Sequence, residues 1–344
     1  LPQLRIRTTP GSVSLMLALV LVASGCGSKL MDTKPAIVEP ARAAVSPTPA
    51  TAPFGQVLAL GAGAQSALFD NASASLVVFA SGTVPQAPAT LTIFGPTGAA
   101  RTVVLPGAAS AIAGDGQGAA YASTRGGFYA IDLIAGTATP TPINGESATD
   151  FTAIARRADG RLVLGSADGV AYTLAADLTV SATSDIFARV DAIVTEGDTA
   201  VVLDRGQTSV TALNPAGSPD LALRAGLGAT TIDVDPVGRV LVADTRGGQL
   251  LVFGADPLIE RQAYPVGESP YGVVGSKTLV WVSQTATNQV IGYDLATGIP
   301  VEKMRYPTVQ QPNSLAYDDA SGTLYVVSGS GGGVQVIRNA AGGR

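Results

Sequence analysis

The sequence predicts an all-β fold, a seven-bladed β-propeller whose blades are four antiparallel strands, with the N-terminal strand closing the last blade. Three observations carry this: a short segment recurs seven times at near-constant spacing, each copy alternates like a strand, and the composition suits strands joined by tight turns. The recurring segments end at Ser81, Ser123, Ser166, Asp204, Asp244, Ser283 and Ser328, and successive ends are 38 to 45 residues apart. A period of about 41 residues is that of one propeller blade. Solenoids of helix pairs share the period, but these windows show β-branched alternation and no apolar stripe of helical period. Of the 344 residues, 46% are hydrophobic and only 14% charged, with 41 glycines, a balance that favours short strands over long surface helices.

The elements follow in order within each unit. An inner strand such as Thr230–Val234 or Ser314–Tyr317 leads through a turn into the strand that ends at the recurring Ser or Asp. A third strand such as Phe128–Leu133, Gln249–Phe253 or Gln289–Asp294 comes next, and an outer strand such as Glu260–Tyr264 completes the unit. Turns at Asp159-Gly160, Ala135-Gly136, Pro236-Val-Gly238 and Ala296-Thr-Gly298 supply residues that tolerate turn geometry. The seventh unit reaches Arg344 after three strands, which would leave an unpaired edge. Gly55–Leu60 precedes the first inner strand and is expected to pair there as the missing fourth strand. Tyr264, Tyr271, Trp281, Tyr293, Tyr306, Tyr317 and Tyr325 crowd the last third of the chain and are expected mostly between blades, with Tyr271 and Tyr306 nearest to loops.

Residues 1–25 read as a secretory signal: Arg5 and Arg7, an apolar stretch Val13–Val22 interrupted only by Ser14, then the small residues Ala23-Ser24-Gly25 before Cys26. A stretch of ten residues, nine of them apolar, falls short of the roughly 20 that cross a bilayer as a helix. Cys26 is the single cysteine of the chain, so no internal disulfide can form. Residues 26–53, with Pro35, Pro40, Pro47, Pro49 and Pro53 among Ala, Ser and Thr, carry no hydrophobic period and are expected to be a disordered tether to a body at 54–344.

Two resemblances follow from these residues. Ala23-Ser24-Gly25-Cys26 resembles the lipobox of bacterial lipoproteins, although Ala23 stands where Leu is commonest. That resemblance implies acylation of Cys26, palmitate among the acyl groups, export, and anchoring to the cell membrane with the body on its extracytoplasmic side. The segments Pro265-Val-Gly-Glu-Ser-Pro-Tyr-Gly-Val-Val274, Gln289-Val-Ile-Gly-Tyr-Asp-Leu-Ala-Thr-Gly298 and Pro312-Asn-Ser-Leu-Ala-Tyr-Asp318 resemble bacterial YVTN/YncE-like and NHL-like propellers, most strongly over the last three units. This second resemblance implies architecture and says little about activity.

The chemistry narrows mainly by exclusion. The chain has no histidine, which removes His-based triads, His metal ligands and His general bases, and the acylation that the lipobox resemblance implies would occupy the one cysteine. Asp132, Asp159, Asp235, Asp294, Asp318 and Asp319 fall at repeat-equivalent turns, where Asp caps backbone N–H groups, and Asp233-Val-Asp235 lacks the spacing of a calcium loop. Gly329-Ser-Gly-Gly-Gly333 lacks the Lys-Ser/Thr of a phosphate loop. No catalytic residue, metal or cofactor is expected, and a non-enzymatic role is favoured. The net charge of −5, without a basic run in the body, argues against nucleic acid as a partner.

What remains is a rim of loops expected on one face of the ring. Its candidate binding residues are Arg125, Arg189, Asp191, Arg205, Asp233, Arg246, Glu268, Tyr271 and Asn313, joined by Glu146, Asp150, Gln284, Asn288 and Gln310. Arg forks in such a set can grip carboxylates or phosphates, or can pair with neighbouring Asp as a repeat feature. The expected function is that of a membrane-tethered envelope protein whose rim binds or scaffolds a protein, glycan or lipid partner. The competing reading is a carboxylate- or metal-dependent hydrolase or lactonase at the channel mouth.

Overall fold

A computed structural model describes Pro2 and residues 36–84 and 86–342 of the chain. Contacts divide the chain into two units, between Pro35 and Ala36, and the strands all belong to the unit that begins at Ala36. The signal segment, Cys26 and the first part of the expected tether lie outside the described residues.

Among the described residues the chain forms seven four-stranded antiparallel sheets and no helix. Six sheets are simple meanders in chain order. Blade 5, for instance, runs Ala229–Val234, Arg239–Asp244, Gln249–Ala255 and Leu258–Pro265. The expected strands reappear within one or two residues, and Gln289–Asp294 matches at both ends. The first strand of each sheet packs against the first strands of the sheets on either side, and that of blade 7 packs against that of blade 1. This closes the ring and sets the first strands around its centre.

The core lies between blades. Seven clusters of buried apolar side chains occupy the seven interfaces between neighbouring sheets. Between blades 4 and 5, for example, Val201, Leu203 and Val210 meet Val240, Val242 and Phe253. A strand flanked by blades on both faces buries both sets of its side chains, which is why the second strands read as near-continuous apolar runs. In Arg239–Asp244 every residue after Arg239 is buried. The late aromatics fill the interfaces as expected: Trp281 is fully buried and stacks on Tyr306 and Tyr317 with ring centroids 6.2 and 6.3 Å away. Tyr306, expected near the surface, is half-buried and its hydroxyl donates to the Ala340 carbonyl at 2.8 Å.

Blade 7 closes as the sequence predicts. Gln56–Leu58 pairs antiparallel with Val334–Ile337 as its outer strand, setting Gln56, Val57 and Leu58 opposite Val336, Gln335 and Val334. Gly55 has φ of +83°, and a Cβ on it would lie 2.4 Å from the Val336 carbonyl oxygen, so no other residue fits this entry to the ladder. The fully buried Gln335 clips the seam. Its Nε2 donates to the Phe54 and Pro307 carbonyls at 2.7 and 2.9 Å, and its Oε1 accepts from the Val309 amide at 3.1 Å. Replacing it with Leu would fill the space but strip the Phe54 carbonyl and Val309 amide of these partners inside the protein. Gln335→Leu is therefore expected to lower unfolding stability by about 2–4 kcal/mol, read from the denaturant midpoint at unchanged m-value. An unchanged midpoint would show that the seam does not depend on this side chain.

Candidate functional site

The rim is built from the ends of the second strands. In blade 5, register places Asp244, the last residue of its second strand, opposite Ala229, the first residue of the inner strand, so both stand at the same face. Asp244 is fully buried, and its carboxylate accepts from the amides of Leu227, Gly228 and Gly247 at 2.8 to 2.9 Å. Asp204 does the same in blade 4 for Ala188, Arg189 and Gln207. A carboxylate with several acceptor sites can hold the loop before a blade and the turn after its second strand together. Ser283 and Ser328 do this work in blades 6 and 7: Ser283 accepts from the Gly272 amide and donates to the Pro312 carbonyl, and Ser328 donates to the Gln310 carbonyl. Register shifts at the same end of the inner strands, as between Ala229 and Thr231 and between Pro312 and Ser314, re-aim the loop side chains. In blades 4 to 7 the recurring Ser or Asp is thus the fixed post from which the next residues, Arg205 and Arg246 among them, project, whereas Ser81 is only half-buried and the buried Ser123 hydroxyl makes no such tie.

The segment expected to be free covers much of this rim. From Ala36 onward the tether is laid on the face as an extended strap with no ladder of its own, which corrects the expectation of a disordered link for residues 38–47. It runs around the ring from blade 4 to blade 7. The Val38 amide donates to the Gly206 carbonyl at 2.8 Å, Arg246 donates to the Glu39 carbonyl, and Arg205 donates to the Ala41 carbonyl at 2.6 Å. Further on, the Ala44 amide donates to Ser269 Oγ at 3.0 Å. Gln311 engages both sides of the strap, donating to the Ala44 carbonyl and accepting from the Ser46 amide, each at 2.9 Å. Gln310 donates to the Ser46 carbonyl at 2.9 Å and Asn288 to the Pro47 carbonyl at 2.7 Å. Ala41 and Ser46 are buried in the face, the Ser46 hydroxyl donating to the Thr285 carbonyl, while the side chain of Val45 stands out into solvent. Gly228 is the close approach that seats the strap: a Cβ there would lie 2.8 Å from the Ala41 Cβ. Phe54 then stacks on Tyr306 at 4.8 Å and delivers the chain to the closing strand.

The strap sorts the predicted rim residues into three groups. Arg205, Arg246, Asn288 and Gln310 hold it directly. Asn313 lies behind it, accepting from Gln311 at 3.0 Å, while Gln284 donates to the Gly267 carbonyl beside exposed Glu268. Tyr271 is half-buried and contributes its main-chain carbonyl to Thr231 Oγ1 rather than an exposed ring. The arc of blades 2 to 4 stays open. Arg125 is exposed there with its backbone bridged to that of Asp150, the Glu146 carboxylate accepts from Thr149, and exposed Arg189 pairs with Asp191 at 3.2 Å. Burial pushes the Asp191 carboxyl upward, against the Arg205 amide and the charges of Arg189 and Arg205.

Asp233 does not belong to this face. It stands near the far end of the inner strand Ala229–Val234, four residues on from Ala229, and about 13 Å of strand carries it toward the opposite mouth of the channel. There it lines a cleft of about 660 Å³ with Tyr317, Lys277, Asp318 and Asp319. Asp318 and Asp319 are occupied as turn caps, Asp318 accepting from the Ala320 amide and Asp319 from the Lys277 amide. The Asp233 carboxylate accepts from the Gly275 amide at 2.9 Å, and burial, with Asp235 nearby, pushes its pKa up to about 6. Among the described residues no group of three or more carboxylate or thiol side chains is gathered closely enough to hold a metal ion. Residues the sequence reading did not single out are Ser269 and Gln311. With Asn288 they share a left-handed backbone, φ 53 to 57°, a conformation that spacing in the sequence does not reveal.

A group whose folded pKa exceeds its unfolded value of 3.8 costs stability as pH rises through the window between them, and the deficit persists above it. Asp233→Asn keeps an acceptor for the Gly275 amide and carries no charge. It is expected to match the wild type near pH 4 and to become more stable by about 3 kcal/mol above pH 6, the gap opening between. Paired unfolding curves across pH check this, and a gap independent of pH would contradict it.

No family model matches the chain, and no curated protein matches it. Solved structures do. A streptogramin B lyase structure superposes with a TM-score of 0.68 at 11% identity, covering 83% of this chain and 98% of that one. A chain of a mitotic checkpoint complex gives 0.68 at 12%, covering 87% and 98%, and a chain of Kuenenia stuttgartiensis hydrazine synthase gives 0.64 at 12%, covering 84% and 99%. At such identities the likeness is one of fold, and the fold of this chain is a seven-bladed β-propeller.

Proposed function

We propose that this protein is a non-enzymatic binding module of the cell envelope, held at a membrane by acyl chains on Cys26 and using the propeller rim to hold a polypeptide partner. One observation carries the binding part: the rim already holds a polypeptide. Arg205, Arg246, Asn288, Gln310 and Gln311 donate to five main-chain carbonyls of residues 39–47, so the face is equipped to grip extended chain through its backbone. The open arc with Arg125 and Arg189 extends this surface toward acidic side chains of the same partner. The hydrolase reading gains less support, because Asp318 and Asp319 at the other mouth are engaged as turn caps and Asp233 stands without a second free carboxylate beside it. The anchor reading rests on the lipobox-like Ala23-Ser24-Gly25-Cys26 and on the absence of any other cysteine. Two acyl chains give stable membrane attachment where one gives only marginal binding.

The test uses the full chain in its own membrane. Labelling with a palmitate analogue is expected to mark the wild type and not Cys26→Ser, which should leave the membrane fraction. Crosslinking and co-purification are expected to recover a partner whose yield falls several-fold with Arg125→Ala/Arg189→Ala. Equal recovery from both proteins would overturn the rim reading, and membrane retention of Cys26→Ser without label would overturn the anchor.

A further inference from the structure

The strap has the character of a bound ligand. Pro40 and Pro47 lack amide hydrogens, and no residue from 36 to 49 enters a ladder, so its recognition falls on carbonyls: five accept from rim side chains against three amides that donate. This is a pattern that reads backbone and tolerates sequence, with two exceptions. Ala41 and Ser46, five residues apart, are the side chains sunk into the face, and both are small. The rim residues that grip the second half are themselves unusual. Ser269 and Gln311 each hold a positive φ, a conformation disfavoured for side chains other than Asn and Gly and shared by Asn288, and such backbone gathers where a site needs its side chains aimed.

We propose that residues 38–47 occupy in cis the site at which the partner's own extended, proline-containing segment docks, so that partner binding requires the strap to lift. The inference rests on the rim-binding reading above and adds to it the chemical class of the partner segment and a built-in block. The segment has small side chains at two positions five apart, the second followed by proline, and it lies in the direction from blade 4 to blade 7. The block follows from chain connectivity, since a covalently attached strap competes at an effective concentration in the millimolar range. Release costs nothing of the ring closure, because Gln56–Leu58 lies beyond the strap and is held separately by its ladder and by Gln335.

The experiment uses the full chain with Ala41→Gln/Ser46→Gln, which forces two long side chains on the buried strap positions and leaves every rim residue intact. A labelled peptide with the sequence of residues 36–50 is the probe. It is expected to bind this variant at least about tenfold more tightly than the wild type. Adding Asn288→Ala/Gln311→Ala to the strap variant is expected to reverse the gain. Equal affinity for wild type and strap variant, or affinity indifferent to the rim changes, would overturn the proposal. Trypsin nicking after Arg42 reports the strap without any ligand: cleavage is expected to be slow in the wild type and at least about tenfold faster in the strap variant, because a protease needs the segment locally undocked. Equal cleavage rates would also overturn it. The two readings fail separately. Partner loss with Arg125→Ala/Arg189→Ala alongside no peptide binding leaves the rim reading and removes the strap proposal, whereas peptide binding without any recovered partner overturns the rim reading and, with it, the docking of a partner segment, leaving only a strap that exchanges with free peptide.

Discussion

Ring closure is the constraint on which the other features depend. Each blade is stable only with neighbours on both faces, since the apolar clusters lie between sheets rather than within them. An open arc of seven blades would expose two such faces and the edge of Val334–Ile337. The closing strand removes the edge by supplying Gln56–Leu58, and Gln335, buried at the seam, ties the entry of that strand to the loop preceding blade 7. The cluster between blades 7 and 1 takes Val334 and Val336 from the closed sheet and Leu76 and Val78 from the next.

Closure also decides where the N-terminal segment must lie. Because the outer strand of blade 7 is entered through Phe54 and Gly55, the chain before it has to arrive at blade 7, and in this protein it arrives along the rim. A segment poor in amide donors and without a hydrophobic period cannot form a strand, so it is satisfied by side chains that reach out from rigid loops. Those loops are rigid because buried Asp204, Asp244, Ser283 and Ser328 tie their amides and carbonyls to the ends of the second strands. One set of residues thus serves the repeat, the ring and the surface.

The two mouths of the channel have different chemistry as a result. The rim side presents Arg, Asn and Gln toward main-chain carbonyls, while the far side gathers Asp233, Asp318 and Asp319 around a cleft. At the far side most carboxylates are absorbed by the turns that join first and second strands. Arg157 shows the same economy: fully buried beside such a turn, it donates to the Asn214 and Pro215 carbonyls of the next blade and, among the described residues, meets no carboxylate in a salt bridge. Burial lowers its pKa, and the two carbonyls hold the guanidinium in place.

The sequence by itself determined the number of blades, the order of strands within them and the identity of the closing strand, because spacing, alternation and turn residues are local signals that survive divergence. It also picked out the recurring Ser and Asp, whose buried position at a strand end is repeated often enough to be seen. Only the tertiary structure decided which end of the inner strand Asp233 faces, since a strand's two ends are a few letters apart in sequence and a channel length apart in space. It likewise decided that residues 38–47 lie docked. Their composition describes a chain that cannot hold itself in shape, and composition is silent about a surface elsewhere in the fold that holds it from outside, through Gln311, Asn288 and the two arginines brought together from loops some hundred residues apart.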